Sequence, residues 1–136
     1  MLGPLDKGED ISTCGFLEEA HRRLRAATTG ALKSGQTPIV IGGGHDYGYP
    51  HIGGMADAFG VSKIGLINID AHLDVRETTG GVITSGSPYF LALEEGCLQG
   101  PHFVEFGIQP HCNKADRFAY LKSRKARVLM LGDARG

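Results

Sequence analysis

Four short apolar runs, at residues 38–41, 64–69, 102–106 and 127–131, are separated by segments long enough to hold a helix. Such short, continuous runs without strict alternation mark strands buried on both faces. Strands that alternate with helices need crossover connections. The pattern therefore predicts an α/β chain with a parallel sheet and helices on both of its faces. The intervening helices are expected at residues 16–34, 48–60, 89–95 and 115–124. In the first, Leu17, Ala20, Leu24, Ala27 and Ala31 recur at three- and four-residue steps and form one apolar face. Gly35 is placed to cap its C-terminus. Residues 1–14 read as polar and irregular.

With 136 residues and no linker-like stretch, residues 1–136 read as a single domain. A net charge of -1 and the absence of like-charge blocks argue against a nucleic-acid or membrane surface. No apolar run approaches the ~18 residues of a membrane span. The N-terminus Met1-Leu2-Gly3-Pro4-Leu5-Asp6 lacks the pattern of a signal peptide. Cys14, Cys97 and Cys112 are odd in number and show no C-x-x-C spacing, so reduced thiols in a cytoplasmic protein are expected. Glycines cluster at 42–44, 53–54 and 80–81 without a fixed period, which points to tight loops rather than a repeat.

Two of those loops carry chemistry. In open parallel sheets, sites form beyond the carboxyl ends of strands, and both motifs leave such ends. Asp70-Ala71-His72-Leu73-Asp74 presents ligand types at i, i+2 and i+4. In extended backbone these side chains point to one side and converge just past the strand. Carboxylates with imidazole and no thiolate suit a hard divalent ion: manganese first, with iron or zinc as alternatives. Gly42-Gly43-Gly44 lead into His45 at the preceding strand end, and adjacent strands would bring His45 to Asp70. The glycines fit neither a dinucleotide fingerprint, since Tyr47 stands at the third glycine, nor a phosphate loop, since Tyr49 stands at the lysine. Asp46 reads as exposed or capping, or as an acid behind the ligands.

Gly42-Gly43-Gly44-His45-Asp46 and Asn68-Ile69-Asp70-Ala71-His72-Leu73-Asp74-Val75-Arg76 resemble the ureohydrolases: arginase, agmatinase and formimidoylglutamase. The resemblance covers most of residues 38–131. It implies a three-layer α/β/α fold with a parallel sheet and two Mn2+ per complete site. It also implies that His45, Asp70 and Asp74 hold one ion, that Asp70 bridges, and that His72 holds the other. Gly44 in place of the aspartate usual in arginases and agmatinases looks more like formimidoylglutamase. Arg76, the loop Ser85-Gly86-Ser87-Pro88-Tyr89 and the stretch Gly107–Asn113 look like that branch too.

The resemblance implies hydrolysis of a linear C–N bond in a formimidoyl or guanidino substrate, foremost N-formimidoyl-L-glutamate to glutamate and formamide. It implies a homo-oligomer acting on a small molecule. Arg76, Ser85 and Ser87 are the substrate-binding candidates, because a guanidinium fork suits carboxylates. A surface ion pair for Arg76 and a turn before Pro88 for the serines are the competing readings. No residue is assigned as catalytic. The family completes its site with a later Asp-x-Asp pair, and none follows Asp74 in this sequence. A truncated chain that binds one metal weakly, or only self-associates, is the alternative expectation.

Overall fold

The computed structural model describes residues 13–133; the expectation for residues 1–12 lies outside them. Helix α1 (Thr13–Lys33) begins earlier than the periodicity predicts. It ends as expected. Gly35, at φ +79°, donates its N–H to Leu32, and Gln36 donates to Ala31. This is the paired C-terminal motif that glycine favours.

The buried face of α1 departs from the apolar stripe. His21 and Thr28 are buried, whereas Ala27 is exposed. The reason lies in the partner, helix α2 (Gly48–Phe59), against which α1 packs. A Cβ on Gly54 would sit 2.7 Å from the Cβ of Thr28 and 2.8 Å from the carbonyl oxygen of Arg25. Glycine inside a helix costs about 1 kcal/mol relative to alanine. Here it allows the two backbones to approach. Arg25 also reaches across in a two-pronged pair with Asp57, at 2.7 and 2.8 Å.

The sheet holds three parallel strands among the described residues: β1 (Leu66–Ile69), β2 (Phe103–Ile108) and β3 (Arg127–Met130), in that spatial order. Helices α3 (Pro88–Glu94) and α4 (Ala115–Ser123) make the two crossovers. They touch each other: the rings of Phe90 and Tyr120 lie 5.4 Å apart, and Tyr120 donates to Glu94 at 2.7 Å. Successive crossovers of one hand in one direction put both helices on the same face. That face holds the core, where Phe103 is fully buried against the ring of Tyr89, 5.1 Å away.

The expected strand at 38–41 is not formed among the described residues; the segment is irregular, with Ile39 and Ile41 82% and 92% exposed. A strand exists only through ladder bonds to a neighbour, and no described strand lies beside this one. Ile67 and Ile69, on the sheet face away from Asn68, are also exposed. Each isoleucine left in water forgoes about 1.5–3 kcal/mol of burial.

Candidate metal centre

The polypeptide beyond β1 is pinned by its apolar residues. Leu73 and Val75 are buried, at 0% and 3% exposure, and this turns Asp74, between them, to the other side of the backbone. Asn113 clamps the segment from the other side. Its Oδ1 accepts the N–H of Leu73 at 2.9 Å, and its Nδ2 donates to the carbonyls of Ala71 at 2.8 Å and Gln109 at 3.0 Å. In the sequence the stretch Gly107–Asn113 reads only as a loop. An asparagine directly after a turn that begins with proline, Pro110–Cys112, was the available signal. Asp74 has φ +44°, a left-handed conformation that aspartate tolerates better than most residues. This backbone strain sits at a ligand position, where strain is commonly stored.

His45 arrives on a single 3-10 turn, His45–Tyr47. Two close approaches explain the glycines before it. A Cβ on Gly43, at φ +78°, would lie 2.5 Å from the Tyr47 ring, and one on Gly44 would run into the carboxylate of Asp46. Asp46 is neither exposed nor capping: it is buried and pairs with His21 of α1 at 2.6 Å. The glycine loop is thereby fixed to the first helix.

The result is a three-residue group. His45 Nδ1 lies 2.6 Å from Asp74 Oδ2 and 3.7 Å from Asp70 Oδ2. One ligand atom from each of His45, Asp70 and Asp74 falls within 4.8 Å of the others. His45 and Asp70 meet without the expected β-pairing, because residues 38–41 form no strand. His72 lies outside this group. Its side chain is exposed, and its Nδ1 is 3.3 Å from the other oxygen of Asp70. Asp70 thus stands between the group and His72.

Charge at these positions is divided. Burial pushes Asp70 up, but hydrogen bonds from His72 and the Ala71 backbone, with the charge of His45, bring it below the usual carboxylate range. Burial raises Asp74, offset in part by His45 and reinforced by the charge of Asp70. Burial and the nearby Asp70 and Asp74 push Glu105 of β2 up to about 9, against a lowering hydrogen bond from Asn68. Glu105 is therefore neutral near pH 7. Two facing carboxylates and an imidazole match the donor chemistry of a hard divalent cation, whose charge would relieve the Asp70–Asp74 repulsion. An open cavity of about 400 Å3, lined by Gly42, Gly43, Gly44, His45, Tyr47 and His51, adjoins the group.

The substrate-side candidates lie on two segments that meet at Gly86. Arg76 is exposed, with its backbone N–H bonded to Gly86 at 2.7 Å and its guanidinium near Gly86. Ser85 is exposed. Ser87 is buried, and its hydroxyl closes the turn by bonding the N–H and carbonyl of Thr84, both at 2.8 Å.

Comparison with known proteins shows the family. The arginase family profile matches residues 5–135. The formimidoylglutamase of Salmonella newport (strain SL254) is 37% identical over 112 residues, which is 80% of this chain and 35% of the relative. The chain thus spans about a third of the length of the curated relatives it matches. A Trypanosoma cruzi formiminoglutamase solved with Mn2+ superposes with a TM-score of 0.84 at 37% identity, over 92% of this chain and 41% of that one. The Bacillus subtilis formimidoylglutamase gives 0.79 at 27% identity, over 86% and 36%. The fold is the parallel α/β arrangement of these enzymes, and the chain belongs to the arginase family.

Proposed function

We propose that this chain carries the metal-binding half of a manganese-dependent hydrolase acting on N-formimidoyl-L-glutamate. The observation that carries the reading is the convergence of His45, Asp70 and Asp74 within 4.8 Å beside an open cavity. Formimidoylglutamases among the relatives, one of them with Mn2+, support the substrate and the metal. His45, Asp70 and Asp74 would hold one ion, and Asp70 with His72 would face the second. When bound, the ions supply Lewis acidity and a water acidic enough to act as nucleophile at neutral pH. The chain's own residues then orient and bind. Asp70 reaches both sides through its two oxygens. The buried Leu73 and Val75 and the Asn113 clamp hold the carboxylates in place. Arg76 and Ser85 are the exposed groups offered to the substrate carboxylates, and Ser87 shapes the loop that carries Ser85. The substrate is a small molecule, the setting cytoplasmic, and the assembly a homo-oligomer.

Purified chain with added Mn2+, assayed on formimidoylglutamate, arginine and agmatine, tests this. Turnover favouring formimidoylglutamate is the expected preference. Higher kcat/KM for arginine or agmatine would overturn the branch and leave the metal site. A second reading is favoured by the ligand count. Among the described residues only three groups converge, and an ion pair needs more. Under it, the chain binds one Mn2+ and turns over none of the three substrates.

A further inference from the structure

His21 stands on α1, outside the metal group, where a polar ring is unfavourable. It is 5% exposed, and its Nδ1 has no partner among the described residues. A buried polar atom without a hydrogen bond is destabilising, and an apolar residue on this helix face would avoid that cost. The one side-chain bond His21 makes goes to the glycine loop. Its Nε2–H donates to Asp46 Oδ2 at 2.6 Å, with the two side chains 6% and 12% exposed. Its ring also meets Tyr47 and Tyr49 edge-on, with centroids 5.7 and 6.0 Å away. Tyr47 in turn lies over Gly43.

Two features of the loop answer to this anchor. Gly44 has φ -72° and ψ 158°, extended backbone open to any residue. The backbone therefore does not ask for glycine there. The Asp46 carboxylate does, because it fills the space where a Cβ on residue 44 would stand. His45 and Asp46 then share one 3-10 turn, His45–Tyr47. With three residues per turn, successive side chains point about 120° apart. Holding Asp46 against α1 thus fixes the direction in which His45 leaves the backbone, toward Asp70 and Asp74. The His45 side chain is 38% exposed, so burial does little to hold it.

We propose that His21 is a positioning residue of the metal centre, acting through Asp46 and the bare Gly44 to aim His45 at the ion. The inference rests on the metal reading above and extends it to a residue that touches no ligand atom of the group.

The test is the Mn2+ affinity of the full 136-residue chain, followed by electron paramagnetic resonance of unbound Mn2+, with thermal melting recording that each variant is folded. His21→Leu occupies the site without a donor and should bind Mn2+ on the order of 10–100-fold more weakly, the usual loss when a ligand's support is removed. His21→Gln returns an N–H donor and should recover most of that affinity; a packing role alone would not favour glutamine over leucine at a buried position. Gly44→Ala leaves α1 intact, displaces the Asp46 carboxylate and should lose affinity on the same scale. Unchanged affinity in a folded His21→Leu or a folded Gly44→Ala overturns the proposal, as does a His21→Gln that binds no better than His21→Leu. If neither His21→Leu nor Gly44→Ala folds, the wild type decides. Mn2+ should slow amide hydrogen exchange in the His21 turn of α1 more than in α4, because coupling between two sites is reciprocal, and equal slowing overturns the proposal. No Mn2+ binding by the wild type sinks the metal reading and this proposal with it, whereas wild-type binding that the variants share sinks the proposal alone.

Discussion

His45 and Asp74 are 29 residues apart in sequence, yet Nδ1 of one lies 2.6 Å from Oδ2 of the other. Nothing local holds them there. His45 is delivered by a loop anchored through Asp46 to α1, and Asp74 by a segment anchored through Leu73, Val75 and Asn113. The site is thus assembled by its supports, and the supports are as testable as the ligands.

Replacing a ligand should abolish tight metal binding without unfolding the chain. Asp70→Asn and His45→Ala are each expected to weaken Mn2+ binding on the order of 100-fold or more, beyond the effect usual for outer residues. His72→Ala should leave the first ion nearly unaffected, because His72 lies outside the three-residue group. Isothermal titration of the three variants checks the ranking. Equal losses in all three would contradict it.

Asn113→Ala should destabilise the chain by about 1–3 kcal/mol, the usual cost of leaving a buried polar group unpaired. The N–H of Leu73 would lose its acceptor at a position that water does not reach. Urea unfolding measures the loss. A change below about 0.5 kcal/mol would mean that the clamp is dispensable.

Glu105 gives a pH dependence of definite sign. Its carboxyl stands at about 9 in the fold against an ordinary 4.5, so between those values the folded chain holds a proton that the unfolded chain has lost. Its contribution is fully present below about pH 4.5 and is lost as pH rises toward 9, at up to about 1.4 kcal/mol per pH unit. Glu105→Gln removes this titration. Melting temperatures from pH 5 to 9 should fall more steeply for the wild type than for the variant. Parallel curves would show that Glu105 is ionised in the fold.

Gly54→Val should cost about 1–3 kcal/mol, because the added carbons meet Thr28 and the Arg25 carbonyl at the α1–α2 contact. Calorimetric melting is the check. An unchanged melting temperature would mean that the helices separate freely.

The exposed Ile39, Ile41, Ile67 and Ile69 should drive self-association of the isolated chain. Sedimentation velocity is expected to show concentration-dependent oligomers, and Ile41→Lys with Ile69→Lys should shift the population toward monomer. A wild-type monomer at every concentration would show that the face is tolerated in water.

The parts legible in the sequence were those set by local pattern. Ile64–Ile69 and Arg127–Leu131 are apolar runs of strand length, and the structure places β1 and β3 within them. Gly35 ends α1 because only the local backbone conformation matters there. Asp70 and Asp74 were legible because they follow an apolar run of strand length. What failed depended on distant partners. The run at 38–41 has strand composition, but composition does not supply a neighbour. Asp46 sits in a glycine loop that reads as exposed, and its burial depends on His21, 25 residues earlier. Glu105 lies within a strand where its neighbours are apolar. Only the register of β1 with β2, which sets Asn68 opposite it, shows what it is for.

The central claim is tested most directly by a crystal of the chain soaked in Mn2+ and measured for anomalous scattering. The account predicts a peak about 2 Å from His45 Nδ1 and from a carboxylate oxygen of each of Asp70 and Asp74, a distance typical of first-row ligation. A peak held by other residues, or no peak at saturating Mn2+, would contradict it.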